Sequence, residues 1–180
     1  MRSPKTWPGV VALWVTTVVT VAAMTDVRVT PLVTDGRVMA SFIVADAFAE
    51  DTEAVFESGL VLTFAFSVEL KRPATLWPDS TLGRVDVSAE GTYDTLTGTY
   101  QVSKRQAGQV VWSESTRDAE QARAWMTEFN GLLLEPRDAL EPNGDYYVRV
   151  RLFKRPRPRF SMWPWGRDDG SGRADFTFIR

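Results

Sequence analysis

The strongest constraint on the fold is a segment in which every second residue is apolar, running through residues 60–70. Successive side chains of a β-strand point to opposite faces, so this period of two is typical of a strand with one buried face. The alternation predicts an inward-facing row made of Leu60, Leu62, Phe64, Phe66, Val68 and Leu70.

The same period recurs along most of the chain and predicts seven further strands. These segments are 27–32, 38–44, 85–93, 100–102, 110–112, 146–152 and 176–179. Asp35-Gly36 separates the first two, and this pair suits the positive backbone angles of a tight hairpin turn. Tyr93 and Tyr100 flank another turn, and we interpret them as a cross-strand aromatic pair rather than a ligand-stacking site.

Two segments have helical rather than strand character. Residues 116–130 carry apolar side chains at spacings of three and four, and Ser115 with Asp118 resembles a capping box. A shorter helix is predicted over residues 50–58, ended by Gly59. Eight strands and two helices predict a mainly β (α+β) fold, either an antiparallel β-sandwich or a partly closed barrel with two short helices.

The N-terminus has the composition of an export signal. Arg2 and Lys5 precede a stretch without charge that lasts until Asp26. A basic start, an apolar core and small residues at its end define a secretory signal, so we predict residues 1–23 as a signal peptide. The uncharged run also reaches the ~20 residues that span a bilayer, which leaves an N-terminal membrane anchor open. Either alternative makes residues 24–180 a single β-rich extracytoplasmic domain, exported and periplasmic or membrane-anchored facing the periplasm.

The composition excludes several classes of chemistry. The chain has no histidine and no cysteine, so Ser-His-Asp and Cys-His catalysis, disulfides and zinc sites built on these residues are ruled out. It also lacks the glycine-rich loop that cradles nucleotide phosphates. We therefore predict no catalytic residues, no metal and no cofactor. The net charge of −2 argues against nucleic acid as a partner.

Several sequence pieces, in their order, resemble a known family. A short helix ended by glycine runs into a long apolar strand (AVFESGLVLTFAFSVELKR), followed by LWPD, the double-tyrosine hairpin YDTLTGTYQV and the strand YYVRVRL. In this order the chain resembles the bacterial exported domain of unknown function 4390, approximately from Val27 to Phe160. The resemblance implies an envelope-exposed β-rich domain with no established chemistry. The sequence departs from it at residues 155–159, where a more apolar loop is expected.

A basic and aromatic cluster near the C-terminus is the candidate contact surface. Its members are Arg149, Arg151, Lys154, Arg155, Arg157, Arg159, Trp163 and Trp165. Residues 149 and 151 alternate with apolar residues and are predicted on the solvent face of a strand, with an extended loop from residue 154 onward. Basic side chains attract anionic lipid headgroups, and tryptophan favours the membrane interface. The alternative is a solvated strand face with tryptophans folded back into the core.

Three functions remain open from the sequence. The first is a non-enzymatic envelope domain that binds a partner protein or an anionic membrane surface. The second is a carrier that holds an apolar or lipid ligand inside a curled β-sheet, lined by the inward row of residues 60–70. The third is a carboxylate-dependent hydrolase, for which Asp168 and Asp169 are among the available acids.

Overall fold

The computed structural model describes residues 25–136, 140–155 and 170–179. The predicted signal segment and the segment 156–169 lie outside these ranges. The strands are β1 (Thr25–Thr34), β2 (Arg37–Val44), β3 (Leu62–Arg72), β4 (Ser80–Asp94), β5 (Thr99–Gln106), β6 (Gln109–Thr116), β7 (Glu128–Leu134), β8 (Gly144–Arg155) and β9 (Gly170–Phe178). The helices are α1 (Glu50–Glu57) and α2 (Ala119–Thr127). Neither helix of these described ranges is long and apolar enough to cross a bilayer.

All described strands belong to one sheet in the order β6-β5-β4-β3-β8-β9-β1-β2-β7. Neighbouring strands are antiparallel except β1 and β9, which run parallel. The sheet curls strongly into a half-barrel whose two edges are β6 and β7. The predicted mainly β fold is confirmed. Of the two architectures, the structure is the partly closed barrel.

The predicted Asp35-Gly36 hairpin and the predicted Tyr93–Tyr100 cross-strand pair are both confirmed. β1 and β2 pair up to Thr34 and Arg37, and the two residues between them, Asp35 and Gly36, have φ of 51° and 73°. Positive φ at both positions matches the right-handed twist of the flanking strands. Tyr93 and Tyr100 are directly opposite in β4 and β5, with ring centroids 4.6 Å apart.

The inward row of β3 forms the centre of the core. Its side chains from Leu62 to Leu70 are buried, and Phe66 lies 4.9 Å from the ring of Phe42 and 5.1 Å from that of Phe129. The prediction is wrong for Leu60, whose side chain is 59% exposed. The reason is that β3 begins to pair with β4 only at Leu62, while the preceding residues connect α1 to the sheet.

The helix predicted over residues 116–130 is shorter than expected at both ends. Ser115 pairs with Gln101 in the sheet and therefore cannot cap a helix. Asp118 is the N-cap, because its side chain accepts hydrogen bonds from the backbone N–H groups of Glu120 and Gln121 in the first turn of the helix. The shorter helix predicted over residues 50–58 is confirmed as α1.

Strand β7 was not predicted. The chain passes from α2 directly into β7, which pairs antiparallel with β2 and sets Phe129 opposite Phe42. The two rings stack with centroids 5.0 Å apart. Pairing with a strand about 90 residues earlier in the chain therefore overrides the local helical spacing.

Candidate functional site

Strand β8 carries the first four residues of the basic cluster. Its inward side chains, from Val148 to Leu152, are buried, and Arg149 and Arg151 lie on the opposite, outer face as their alternation predicts. The strand continues to Arg155, so the extended loop begins later than predicted. Residues 157, 159, 163 and 165 of the predicted contact surface lie outside the described residues.

Arg151 forms an ion pair with a buried carboxylate. Its Nη2 lies 3.0 Å from Oε1 of Glu69, whose side chain is only 8% exposed on the outer face of β3. Arg84 and Lys71 approach the same carboxylate at 3.8 and 4.0 Å. Three cations therefore surround one buried carboxylate, and the role of Arg151 is to neutralise this charge within the sheet.

Arg149 is in a different electrostatic position. Its Nη2 donates a 3.0 Å hydrogen bond to the hydroxyl of Tyr147, and it forms no ion pair with any carboxylate among the described residues. Tyr147 is fully buried although it points to the outer face, because Arg173 stacks on its ring, 3.7 Å from the centroid. Its hydroxyl donates to Oδ2 of Asp79 at 2.5 Å. Arg149 is therefore linked to the Asp79 carboxylate only through the Tyr147 hydroxyl.

The pKa values of Tyr147 and Asp79 are displaced in opposite directions. Burial raises the pKa of the Tyr147 phenol, and its hydrogen bond to Asp79 adds to the rise. The same hydrogen bond lowers the pKa of Asp79, and the backbone N–H of Ala74 lowers it further. The phenol stays protonated and the carboxylate ionised, which is the state that the hydrogen bond requires.

Lys154 lies on the other face of β8 from Arg149 and Arg151. Its Nζ donates a 2.8 Å hydrogen bond to the carbonyl oxygen of Ala47 and lies 5.9 Å from the ring centroid of Phe64. The three described cations thus do not form one surface, and Lys154 is half-buried against the inner side of the sheet.

One end of the sheet brings several predicted features together. Arg155 is the last residue of β8 and pairs with Thr63, two residues after the exposed Val61. Gly170 is the first residue of β9 and pairs with Thr25, the first residue of β1. The segments 1–24 and 156–169 therefore connect to the sheet at neighbouring positions.

An open cavity of about 300 Å³ lies on the outer face between β3, β4 and β5. Arg84 and Arg105 line it together with Ser67. Both guanidinium groups are already paired, Arg84 with Asp86 at 3.0 Å and Arg105 with Glu90 at 3.1 Å. This cavity therefore does not offer a free cation to an anionic ligand.

The sequence reasoning missed Lys104, which points into the half-barrel from β5. Its Nζ donates a 2.7 Å hydrogen bond to the carbonyl oxygen of Glu128, the first residue of β7. It also lies 5.2 Å from the ring centroid of Trp112 and 4.8 Å from that of Phe129. Desolvation lowers its pKa. The detectable signal was its position two residues after Val102 in an inward-facing alternation.

Within the described ranges, no cluster of three or more acidic side chains has the arrangement of a metal site. No curated protein and no solved structure matches the chain. A family model described as a domain of unknown function (DUF4390) matches residues 22–155, well over half of the sequence. The chain therefore belongs to the DUF4390 family.

Proposed function

We propose that this protein is a non-enzymatic, exported domain that binds an anionic membrane surface. The contact is the end of the sheet where β8 ends and β9 begins, extended by the basic and aromatic segment 156–169. The absence of histidine and cysteine from the chain supports binding rather than catalysis as its activity.

The single observation that carries this proposal is the pairing of Thr25 with Gly170. It attaches the apolar N-terminal segment and the basic segment at adjacent strands. If residues 1–24 insert into the membrane, Arg155, Arg157 and Arg159 would therefore be held close to the lipid headgroups. If residues 1–23 are removed, the same basic segment still offers electrostatic attraction with Trp163 and Trp165 as interfacial anchors.

Exposed apolar residues at the same end of the sheet also support the proposed membrane contact. Leu60 and Val61 are 59% and 56% exposed and lie just before the start of β3, whose Thr63 pairs with Arg155. Apolar side chains beside a cationic segment are the combination that interfacial binding uses. Arg149, Arg151 and Lys154 are each held by contacts within the domain, so the proposed contact depends on the cations from residue 155 onward.

Binding of the full chain to vesicles tests the proposal. The two vesicle types contain either zwitterionic lipid only or a fraction of anionic lipid. We expect preference for the anionic vesicles, weakening with added salt. The variant Arg157→Glu/Arg159→Glu should weaken this binding at least about thirtyfold, because each cation near a charged bilayer contributes about 1 kcal/mol.

The matched control is Arg37→Glu/Ser80→Glu/Gln109→Glu, which makes the net charge more negative by the same four charges at exposed positions. These residues begin β2, β4 and β6, away from the end of the sheet where Thr25 pairs with Gly170 and β3 begins. The apolar segment is the same in every variant, so differences between variants report the charges alone. Equal weakening by the two sets of substitutions, or equal binding to both vesicle types, would contradict the proposal and favour a protein partner.

Intact-mass measurement of the protein purified from its native envelope tests the exported location. We expect either a chain shortened by residues 1–23 or the full chain retained in the membrane fraction. Full-length protein in the soluble cytoplasmic fraction would contradict export.

A further inference from the structure

The two open edges of the half-barrel enclose a groove that is separate from the proposed membrane contact. Its volume is about 430 Å³, within the range of about 300–1,000 Å³ that small-molecule sites occupy. One wall comes from β6 and the end of β5, and the other from β7. The apolar part of the lining consists of Val87, Val111, Trp112, Phe129, Leu132 and Leu133.

This lining combines buried and accessible apolar surface. Val87 and Phe129 are each 4% exposed and form the floor, continuous with the core. Val111 is 61% exposed and Leu133 is 37% exposed, one on each wall. A ligand seated between them removes apolar surface from water on both sides, which favours an apolar chain.

Lys104 supplies one cation at the aromatic part of the groove. A lysine ammonium has three N–H donors, and only the hydrogen bond to the Glu128 carbonyl is made among the described residues. Among the described residues Lys104 forms no ion pair with a carboxylate, and the charge of Glu128 acts on it only at longer range. Arg105, the other cation of the lining, is already paired with Glu90. A half-buried ammonium held against two aromatic rings is incompletely solvated, and an anion beside it would recover that lost solvation.

We propose that the groove binds an amphiphile with a single anionic head and an apolar chain, such as a fatty-acid carboxylate. The head accepts hydrogen bonds from the remaining N–H groups of Lys104. The chain lies between Val111 on one wall and Leu132 and Leu133 on the other. This site differs from the carrier predicted from the sequence, because the row from Leu62 to Leu70 is packed in the core.

Decanoate binding to the full chain, below its micelle concentration, tests this inference. Titration calorimetry should detect saturable binding of decanoate at one site. Decan-1-ol and decyltrimethylammonium have the same chain with a neutral or cationic head. We expect both to bind at least tenfold more weakly than decanoate, since the alcohol oxygen carries no negative charge to pair with the Lys104 ammonium and the trimethylammonium head is repelled by it.

Lys104→Met keeps the apolar stem and removes the charge. It should weaken decanoate binding about ten- to hundredfold and leave decan-1-ol binding unchanged within twofold. Lys104→Arg should retain preference for the anion. Lys71→Met is the matched control, since it removes a lysine charge from the outer face, and it should bind decanoate like the unmodified chain. Circular dichroism and a thermal melt identify any variant that fails to fold.

Leu133→Asp places a negative charge in one wall and should abolish decanoate binding. Equal binding of the three probes, or unchanged decanoate binding by folded Lys104→Met, overturns the inference. A dimer in native mass spectrometry that Leu133→Asp converts to a monomer also overturns it, because a second copy would then occupy the groove. None of these results depends on vesicle binding, so this inference and the proposed membrane contact fail independently.

Discussion

The hydroxyl of Tyr147 and the carboxylate of Asp79 are joined by a 2.5 Å hydrogen bond that fastens the β3–β4 connection to β8. Tyr147 occupies an outward position in its strand, yet it is fully buried. Arg173 covers the ring, and Arg149 donates to the same hydroxyl. The outer face of this sheet therefore contains a small polar cluster built around one buried tyrosine.

This cluster should make stability depend on pH in the acid range. The pKa of Asp79 is lowered in the folded protein, so its contribution is present above the ordinary aspartate pKa of about 4 and is lost as pH falls below it. Asp79→Asn should reduce the difference between the urea midpoints at pH 6 and pH 3. Glu114→Gln, which removes an exposed carboxylate on β6, should keep the full difference. An unchanged difference in Asp79→Asn contradicts this role.

The inward row of β3 should show a sharp contrast at its first member. Phe64 is fully buried and contacts Phe48 with ring centroids 5.3 Å apart, so Phe64→Ala should cost about 3–5 kcal/mol of unfolding free energy. Leu60→Ala should change it by less than about 0.5 kcal/mol, because that side chain is mostly exposed. Urea denaturation measures both. A similar cost at the two positions would restore Leu60 to the core.

The strands were predictable because each presents one face to a single core. Period-two alternation reports burial directly, and it located β3 and the β1–β2 hairpin with its turn. It failed at Leu60 because an apolar residue beside a strand continues the pattern without pairing. It missed β7 because residues 128–134 end in Leu132, Leu133 and Leu134, a run without alternation, and their pairing with β2 is a long-range contact.

The revised N-cap of α2 can be tested directly. Asp118 accepts the N–H of Glu120 at 2.9 Å, so Asp118→Ala should cost about 1 kcal/mol, within the usual range of about 0.5–2 kcal/mol. Ser115→Ala is the control, since Ser115 lies exposed in β6 and caps nothing, and it should be nearly neutral. Chemical denaturation of both variants is sufficient. A larger loss from Ser115→Ala would favour the capping box expected from the sequence.

The candidate site was less predictable than the fold because its character depends on partners distant in sequence. The alternation correctly placed Arg149 and Arg151 on one face of β8. It gave no sign that Arg151 meets a buried Glu69 82 residues earlier, or that Lys154 turns inward to Ala47. Lys104 was not predicted because a charged residue after a short apolar alternation indicates that the buried part of the strand has ended. In the structure its side chain instead crosses the opening of the half-barrel and donates to the carbonyl oxygen of Glu128.

The ion pair of Arg151 with Glu69 should contribute to stability and not to membrane binding. Glu69 is 8% exposed and Arg151 29%, so the pair is only partly screened by water. A double-mutant cycle of Arg151→Gln and Glu69→Gln should give a coupling energy of about 1–3 kcal/mol.

The exposed pair of Arg173 and Asp175 on the neighbouring strand is the control, and its coupling should be below about 0.5 kcal/mol. Urea denaturation of the four variants of each cycle measures these energies, and vesicle binding by Arg151→Gln should stay within twofold of the unmodified chain. Equal coupling in the two cycles, with a large loss of vesicle binding, would instead make Arg151 part of the contact surface.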